Sequence, residues 1–465
     1  MDLNNLKSVY FIGIGGIGMS SLARYFKALG KKIGGYDKTQ TSLTAELIAE
    51  GMDVHFDDRV NRLDKQFLDK NSCLVVYTPA VPKDHGELNY FLSGGFNVLK
   101  RSAVLGLITK NHFTIAVAGT HGKTTTSSMI AHILCASGIN CTAFLGGISK
   151  NYSSNMLLPK EGFNESIIVV EADEYDRSFL TLHPDIAVIT SMDADHLDIY
   201  GDKNYMEDSY RLFAAQVKQD GLLLTRAGLP IGEVKASQKH YSLTSKADYS
   251  ASEIVVKDHR YYFNWQGPAN EIENLSTQMP GRHNVENVVA AIAVASHLNI
   301  PAEKISKSVH GYTGVRRRFD YQVESGEVVY IDDYAHHPEE LRACILSAKE
   351  LYKGKKITGI FQPHLFTRTR DFADGFGKSL SLLDELILLD IYPARELPIE
   401  GVTSKMIFDL VSIPNKTLCR KEDVLDEMKA RKVEVLLTLG AGDIDQLVDP
   451  LRKLYTTWKD QTNNR

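Results

Sequence analysis

Residues 116–130 read AVAGTHGKTTTSSMI. An apolar run ends in a glycine loop, and the loop opens into residues that favour a helix. Gly122-Lys123-Thr124 at such a junction commits this part of the chain to a phosphate-holding α/β unit. Backbone N–H groups along Gly119, Thr120, His121 and Gly122 suit the phosphates of a bound ligand. Lys123 is positioned to reach the outer phosphates, and the Thr124 hydroxyl, followed by Thr125, suits Mg²⁺. The loop is a shorter variant of the usual pattern, because the residue five before Gly122 is Val117 rather than glycine.

The rest of the chain repeats the same grammar. Short apolar runs at 8–12, 166–171, 186–190, 328–333, 357–361, 385–391 and 433–440 alternate with helical stretches such as PEELRACILSAKELY at 338–352. Buried strand, loop and helix in alternation predict α/β architecture with mostly parallel sheets. The stretch 240–265, with YSASEIVVKDHRYYFNW, predicts a small antiparallel excursion. At 465 residues the chain is too long for one core. Breaks at 109–111 and 313–325 predict three domains, 1–110, 111–315 and 316–465. The outer two are Rossmann-like, and the middle one is built on the phosphate loop.

Composition removes several function classes. Fifty-three basic and 58 acidic residues give a net charge of −5, which argues against a general nucleic-acid or anionic-membrane binder. Five cysteines without a CxxC pair make a disulfide framework or thiolate zinc site unexpected. No apolar stretch reaches the roughly 18 residues of a membrane span, and the first twenty residues lack the basic start of a signal peptide. The expectation is a soluble cytoplasmic protein without membrane insertion.

A second glycine loop lies at the start. Gly13, Gly15, Gly16 and Gly18 form GIGGIG directly after SVYFI, and Asp37 follows the next strand. Glycines there permit a tight turn and close approach to a diphosphate, and the carboxylate suits a ribose hydroxyl. Residues alone do not choose the nucleotide; NAD fits the pattern as well as any other. VVYTPAVP at 75–82 is a candidate for the opposite wall.

Phosphates also need their charge neutralised. Glu171 ends the strand SIIVVE, and His196 follows the neighbouring strand within SMDADHLDIY. Together with Thr124 they form a candidate Mg²⁺ site. Asp173, Glu174, Asp176, Asp193, Asp195 and Asp198 are alternatives in the same segments.

Taken in order, GTHGKTTT, VVEADEYDRSF, TSMDADHLDIY, MPGRHNVENVVAA, GVRRRFD, DDYAHHPEE and FQPHLFTRTR resemble the Mur ligases of peptidoglycan synthesis, from residue 8 to TLGAGDI at 438–444. The resemblance is greatest to the alanine-adding branch. It implies ATP-dependent joining of L-alanine to UDP-N-acetylmuramate through an acyl phosphate. It also implies roles for single residues. Lys123, His196 and Arg318 are catalytic; Thr124, Glu171 and His196 hold Mg²⁺. His283, Asn284 and Asn287 lie in the adenine segment. Arg318 reaches the ATP phosphates and Asp333 the ribose. Tyr334, His336, His364 and Arg368 form the amino-acid wall. Gly13, Gly15, Gly16, Gly18 and Asp37 hold UDP rather than NAD.

Two departures stand out. The family often has an arginine where this chain has Leu365, so some of the carboxylate recognition must come from Arg368, Arg370 or elsewhere. Several relatives carry a carbamylated lysine after the metal histidine; here MEDSYRLFAAQ has Arg211 and no lysine, so no carbamate is expected. Plainer readings stand beside these. RRR at 316–318 is also a solvated basic turn, and HH at 336–337 a helix cap before Pro338. A ligase that attaches a recycled peptide, a phosphate-loop ATPase and an NAD-dependent oxidoreductase are the other functions in view.

Overall fold

The computed structural model describes residues 3–193, 200, 202–394 and 396–462. These residues form four sheets. The first has β1 (Ser8–Ile12), β2 (Lys32–Tyr36), β3 (Asp53–His55), β4 (Cys73–Tyr77) and β5 (Asn97–Lys100), in the order β3-β2-β1-β4-β5 and parallel throughout. The second has β6 (Thr114–Ala118), β7 (Cys141–Ser149), β8 (Ser154–Leu157), β9 (Ile167–Glu171), β10 (Ile186–Ile189), β11 (Leu222–Arg226) and β12 (Ser237–Tyr241). Its order is β12-β11-β10-β6-β9-β7-β8, with β8 antiparallel to β7.

A small third sheet has β13 (Ser250–Lys257), β14 (Arg260–Gln266) and β15 (Glu271–Thr277). Only Asp258 and His259 separate β13 from β14, both with positive φ. A two-residue connection permits only antiparallel pairing, since parallel neighbours need a long crossover. The excursion expected at 240–265 therefore forms, and gains a third strand. The last sheet has β16 (Asp320–Glu324), β17 (Val329–Asp333), β18 (Ile357–Phe361), β19 (Glu385–Leu388), β20 (Lys416–Leu418) and β21 (Val435–Leu439), in the order β16-β17-β21-β18-β19-β20. Only β16 runs antiparallel, to β17.

The central strands β1, β6, β18 and β21 are buried along their whole length, which is why they read as unbroken apolar runs. No helix among the described residues is long and apolar enough to cross a membrane, and all five cysteines are free thiols.

The chain divides into two compact units. One comprises Met1–Ser252, Trp265–Glu273 and Asn287–Tyr312; the other comprises Glu253–Asn264, Asn274–Glu286 and Thr313–Arg465. The main division in the chain falls between Tyr312 and Thr313. Within the first unit, the first two sheets share an apolar core running from Leu6 to Ala236. The helix Ile17–Ala28 joins them. Tyr25 packs against Phe144 and Phe163 with ring centroids 5.4 and 5.2 Å away, and Asn155 donates to Ile17 O at 2.6 Å.

Candidate active site

The phosphate loop connects β6 to the helix Lys123–Ala136. Gly122 caps that helix in the left-handed region, at φ 82°, where a side chain would be strained. A Cβ there would also lie 2.8 Å from Asn287 Oδ1. Asn287, far along the chain and expected near the adenine, thus sits directly beside the loop. The loop is braced on the segment after β10. Thr120 Oγ1 donates to Asp193 O at 2.7 Å, the His121 N–H donates to Ser191 Oγ at 2.8 Å, and the Thr190 hydroxyl donates to His121 O. Thr124 and Thr125 are buried in the first helical turn.

Lys123 donates to Gly119 O at 2.5 Å and to the Glu174 carboxylate at 2.8 Å. Burial opposes its charge, but Glu174, Glu171 and Asp173 outweigh burial and hold its pKa above the ordinary lysine value. Glu174 is 2% exposed, and burial pushes its carboxyl up to about 7 despite the lysine. Glu174, read from sequence as a substitute metal ligand, is here the lysine's partner. Nothing in the spacing of EADE says which of its two glutamates turns toward Lys123.

Glu171 ends β9, in register with Val117 of β6. Its Oε2 is buried without a hydrogen-bond partner among the described residues. Gly146 leaves room for this carboxylate, since a Cβ there would stand 2.2 Å from Oε2. An orphaned carboxylate oxygen near a polyphosphate loop fits Mg²⁺, which is usually held by one or two carboxylates plus phosphates and water. His196, the other expected ligand, lies outside the described residues, as do Asp195 and Asp198.

In the first glycine loop, Gly13 and Ile14 N–H groups donate to Tyr36 O at 2.8 and 3.0 Å. Gly15 N–H donates to Asp37 Oδ2 at 2.7 Å, and Thr39 N–H to Asp37 Oδ1 at 3.0 Å. Asp37, expected at a ribose, fastens the loop itself. The segment 75–82 packs against this loop: a Cβ on Gly13 would meet Thr78 Cγ2 at 2.9 Å and Val81 Cγ2 at 3.7 Å. A cavity of about 300 Å³ extends from Gly16 and Gly18 past Thr78 to Gly146, Glu171 and Asp173. It joins the first loop to the carboxylate beside the second.

The other unit gathers the C-terminal candidates. Asp333, at the end of β17, accepts from the Phe319 and Ala335 N–H groups at 2.7 and 2.8 Å. Burial raises its carboxyl to about 6, with Arg318 pulling it down. Arg318 lies 5.3 Å from the Tyr334 ring centre and 3.8 Å from Glu340. His336 packs on Tyr334 and faces His364, whose ring stacks on Tyr392. Arg368 is buried in the short helix Phe366–Asp371.

Of the RRR run, Arg316 is exposed, while Arg317 bonds to Asp332 at 3.2 Å and to Gly440 O at 2.7 Å. Of the two histidines, His337 caps the following helix, and His336 joins the cluster. His283 and Asn284 lie at another place in this unit. A Cβ on Gly281 would come 2.5 Å from the His283 ring, and Asn284 donates to Pro280 O at 2.6 Å. Arg211 pairs with Glu207 and Asp208 along its own helix.

Comparison with known proteins bears on the whole chain. Residues 8–113 match the Mur ligase family catalytic domain, 117–295 the Mur ligase middle domain, and 317–444 the Mur ligase glutamate ligase domain. The chain is 53% identical over 457 residues to the UDP-N-acetylmuramate–L-alanine ligase of Parabacteroides distasonis, covering 98% of each. It is 50% identical over 454 residues to the enzyme of the same name from Flavobacterium johnsoniae, covering 98% of this chain and 99% of the relative. The crystal structure of UDP-N-acetylmuramate-alanine ligase MurC from Thermotoga maritima superposes with a TM-score of 0.82 at 26% identity, over 97% of this chain and 99% of that one. A murein peptide ligase from Psychrobacter arcticus shares the fold, with a TM-score of 0.71 at 20% identity over 96% and 98%. Two glycine loops joined by one cavity and three consecutive domain matches agree with these likenesses: the chain belongs to the Mur ligase family, whose members use ATP.

Proposed function

We propose that this chain ligates L-alanine to the lactyl carboxylate of UDP-N-acetylmuramate, converting ATP to ADP and phosphate. The observation that carries the reading is the cavity between the first glycine loop and Glu171. A sugar nucleotide anchored by its diphosphate at residues 13–18 would extend its carboxylate toward the phosphate loop. An oxidoreductase leaves the GTHGKT loop without a task, and a simple ATPase leaves the first loop without one. The near-full-length likeness to alanine ligases supports the amine substrate.

A carboxylate is a poor electrophile, so activation precedes amide formation. A carboxylate oxygen attacks the γ-phosphorus while the bond to the ADP oxygen breaks, leaving an acyl phosphate. The neutral amine of alanine then adds to the acyl carbon, loses a proton, and phosphate departs. Lys123 exchanges Glu174 for the γ-phosphoryl oxygens, where its charge meets the charge that develops in the transition state. Thr124 and Glu171, with His196 by resemblance, would hold Mg²⁺, which neutralises phosphate charge. Gly122 and Asn287 shape the loop's nucleotide side. Arg318 and Asp333 serve ATP by resemblance, and Tyr334, His336, His364 and Arg368 receive the amino acid.

Phosphate release should require ATP, UDP-N-acetylmuramate and L-alanine together, with glycine and L-serine as weaker substrates. Glu171→Ala should raise the Mg²⁺ concentration needed for half-maximal rate. Faster ligation of a muropeptide tripeptide than of L-alanine would assign the chain to peptide recycling instead.

A further inference from the structure

The helix Arg101–Thr109 begins with a cation, at the end where the helix dipole disfavours one. Arg101 is 21% exposed, and its guanidinium donates through Nη2 to Asp173 Oδ2 at 3.0 Å. Its other arm points elsewhere. Nη1 lies 2.5 Å from where a Cβ on Gly18 would stand. Glycine in the first turn of the helix Ile17–Ala28 therefore makes space for the guanidinium. Arg101, Gly16, Gly18 and Glu171 line the same 300 Å³ cavity.

We propose that Arg101 is a binding residue for the diphosphate of the sugar nucleotide, with Asp173 as the residue that positions it. The inference rests on the reading that the first glycine loop holds a uridine diphosphate sugar. Backbone N–H groups at a helix start supply only about half a positive charge, against the two negative charges of a diphosphate. A guanidinium against Gly18 supplies a full charge and a planar pair of donors suited to phosphate oxygens. Asp173 fixes the fork from behind, and Tyr175 N–H donates to its second oxygen at 3.0 Å. The competing anion is the lactyl carboxylate. It belongs at the Glu171 end of the cavity, whereas Nη1 is turned to the glycine loop.

The test uses the full chain and its Arg101→Met, Arg101→Lys and Asp173→Asn variants, each checked by its thermal midpoint. Calorimetry compares uridine, UDP and UDP-N-acetylmuramate, and steady-state rates give the KM for ATP. Loss of a charged hydrogen bond predicts that Arg101→Met binds UDP and UDP-N-acetylmuramate about tenfold or more weakly, by a common factor. Uridine affinity and the ATP KM should stay within about twofold, and lysine should restore part of the loss. Asp173→Asn should weaken UDP less than Arg101→Met does, because the guanidinium remains. UDP binding unchanged with UDP-N-acetylmuramate weakened would move Arg101 to the carboxylate and overturn the proposal. No change with either ligand would reduce it to a bridge between helix and loop. A wild-type chain that binds no UDP would overturn the reading of the first loop as well.

Discussion

Lys123 and Glu174 form a buried ion pair in which each charge depends on the other. Removing one partner of such a pair leaves an uncompensated charge, which costs several kcal/mol. Lys123→Ala should therefore act twice. It should lower kcat by at least about 100-fold, as expected for loss of a transition-state contact, and it should lower the thermal midpoint. In Lys123→Ala combined with Glu174→Gln, the midpoint should recover and turnover should not. Recovery of turnover would remove Lys123 from the chemistry. This pair also shows the limit of reading by residue. GTHGKT announces a lysine for phosphate, but its resting partner depends on how the chain leaves β9. Glu171 stays at the strand end, while Glu174 turns back into the interior. The positions of Asp37 and Arg101 are hidden for the same reason: each is set by a contact between segments distant in the chain.

Elements were far more legible. β1, β6, β18 and the helix Lys123–Ala136 lie where apolar runs and glycine stops predict them, because both sheet faces are covered and burial leaves little freedom. β15 was not foreseen: EIENLST mixes exposed and buried residues and lacks an apolar run. The middle of β1, the end of β3 and the start of the helix Gly86–Ser93 meet at a buried cluster with its own consequence. Glu87, fully buried, accepts from Tyr10 OH at 2.7 Å beside His55, with Asp58 nearby. Burial pushes its carboxyl up to about 7. A raised carboxyl contributes stability below its unfolded value near 4.5, and this is lost as pH rises through about 7. Glu87→Gln should lack that loss. Its stability relative to wild type should rise by up to about 3 kcal/mol between pH 5 and pH 8.5, read as a divergence of thermal midpoints. Parallel curves would contradict the shift. The short helix Phe366–Asp371 makes the other test at this scale. Leu365, where the family often has arginine, adopts φ 69° and is buried. Arg368→Ala should then raise the KM for L-alanine about tenfold or more, with a smaller change for ATP. Equal changes would count against an amino-acid contact.

Across the whole molecule, the two glycine loops carried most of the functional information. Each is a strand–turn–helix whose spacing is set by local geometry. What they do together was not readable from spacing, because it depends on the shared core that seats both sheets in one unit. The C-terminal candidates were readable only through resemblance: single histidines, a tyrosine and an arginine have no period. The account as a whole stands on activation of a sugar-linked carboxylate by phosphoryl transfer from ATP. The direct measurement is isotope transfer from UDP-N-acetylmuramate labelled with oxygen-18 in its lactyl carboxylate, in the presence of ATP and L-alanine. The account predicts one labelled oxygen in the inorganic phosphate for each amide formed from fully labelled carboxylate. Amide formation with unlabelled phosphate, or with the label in AMP, would contradict it.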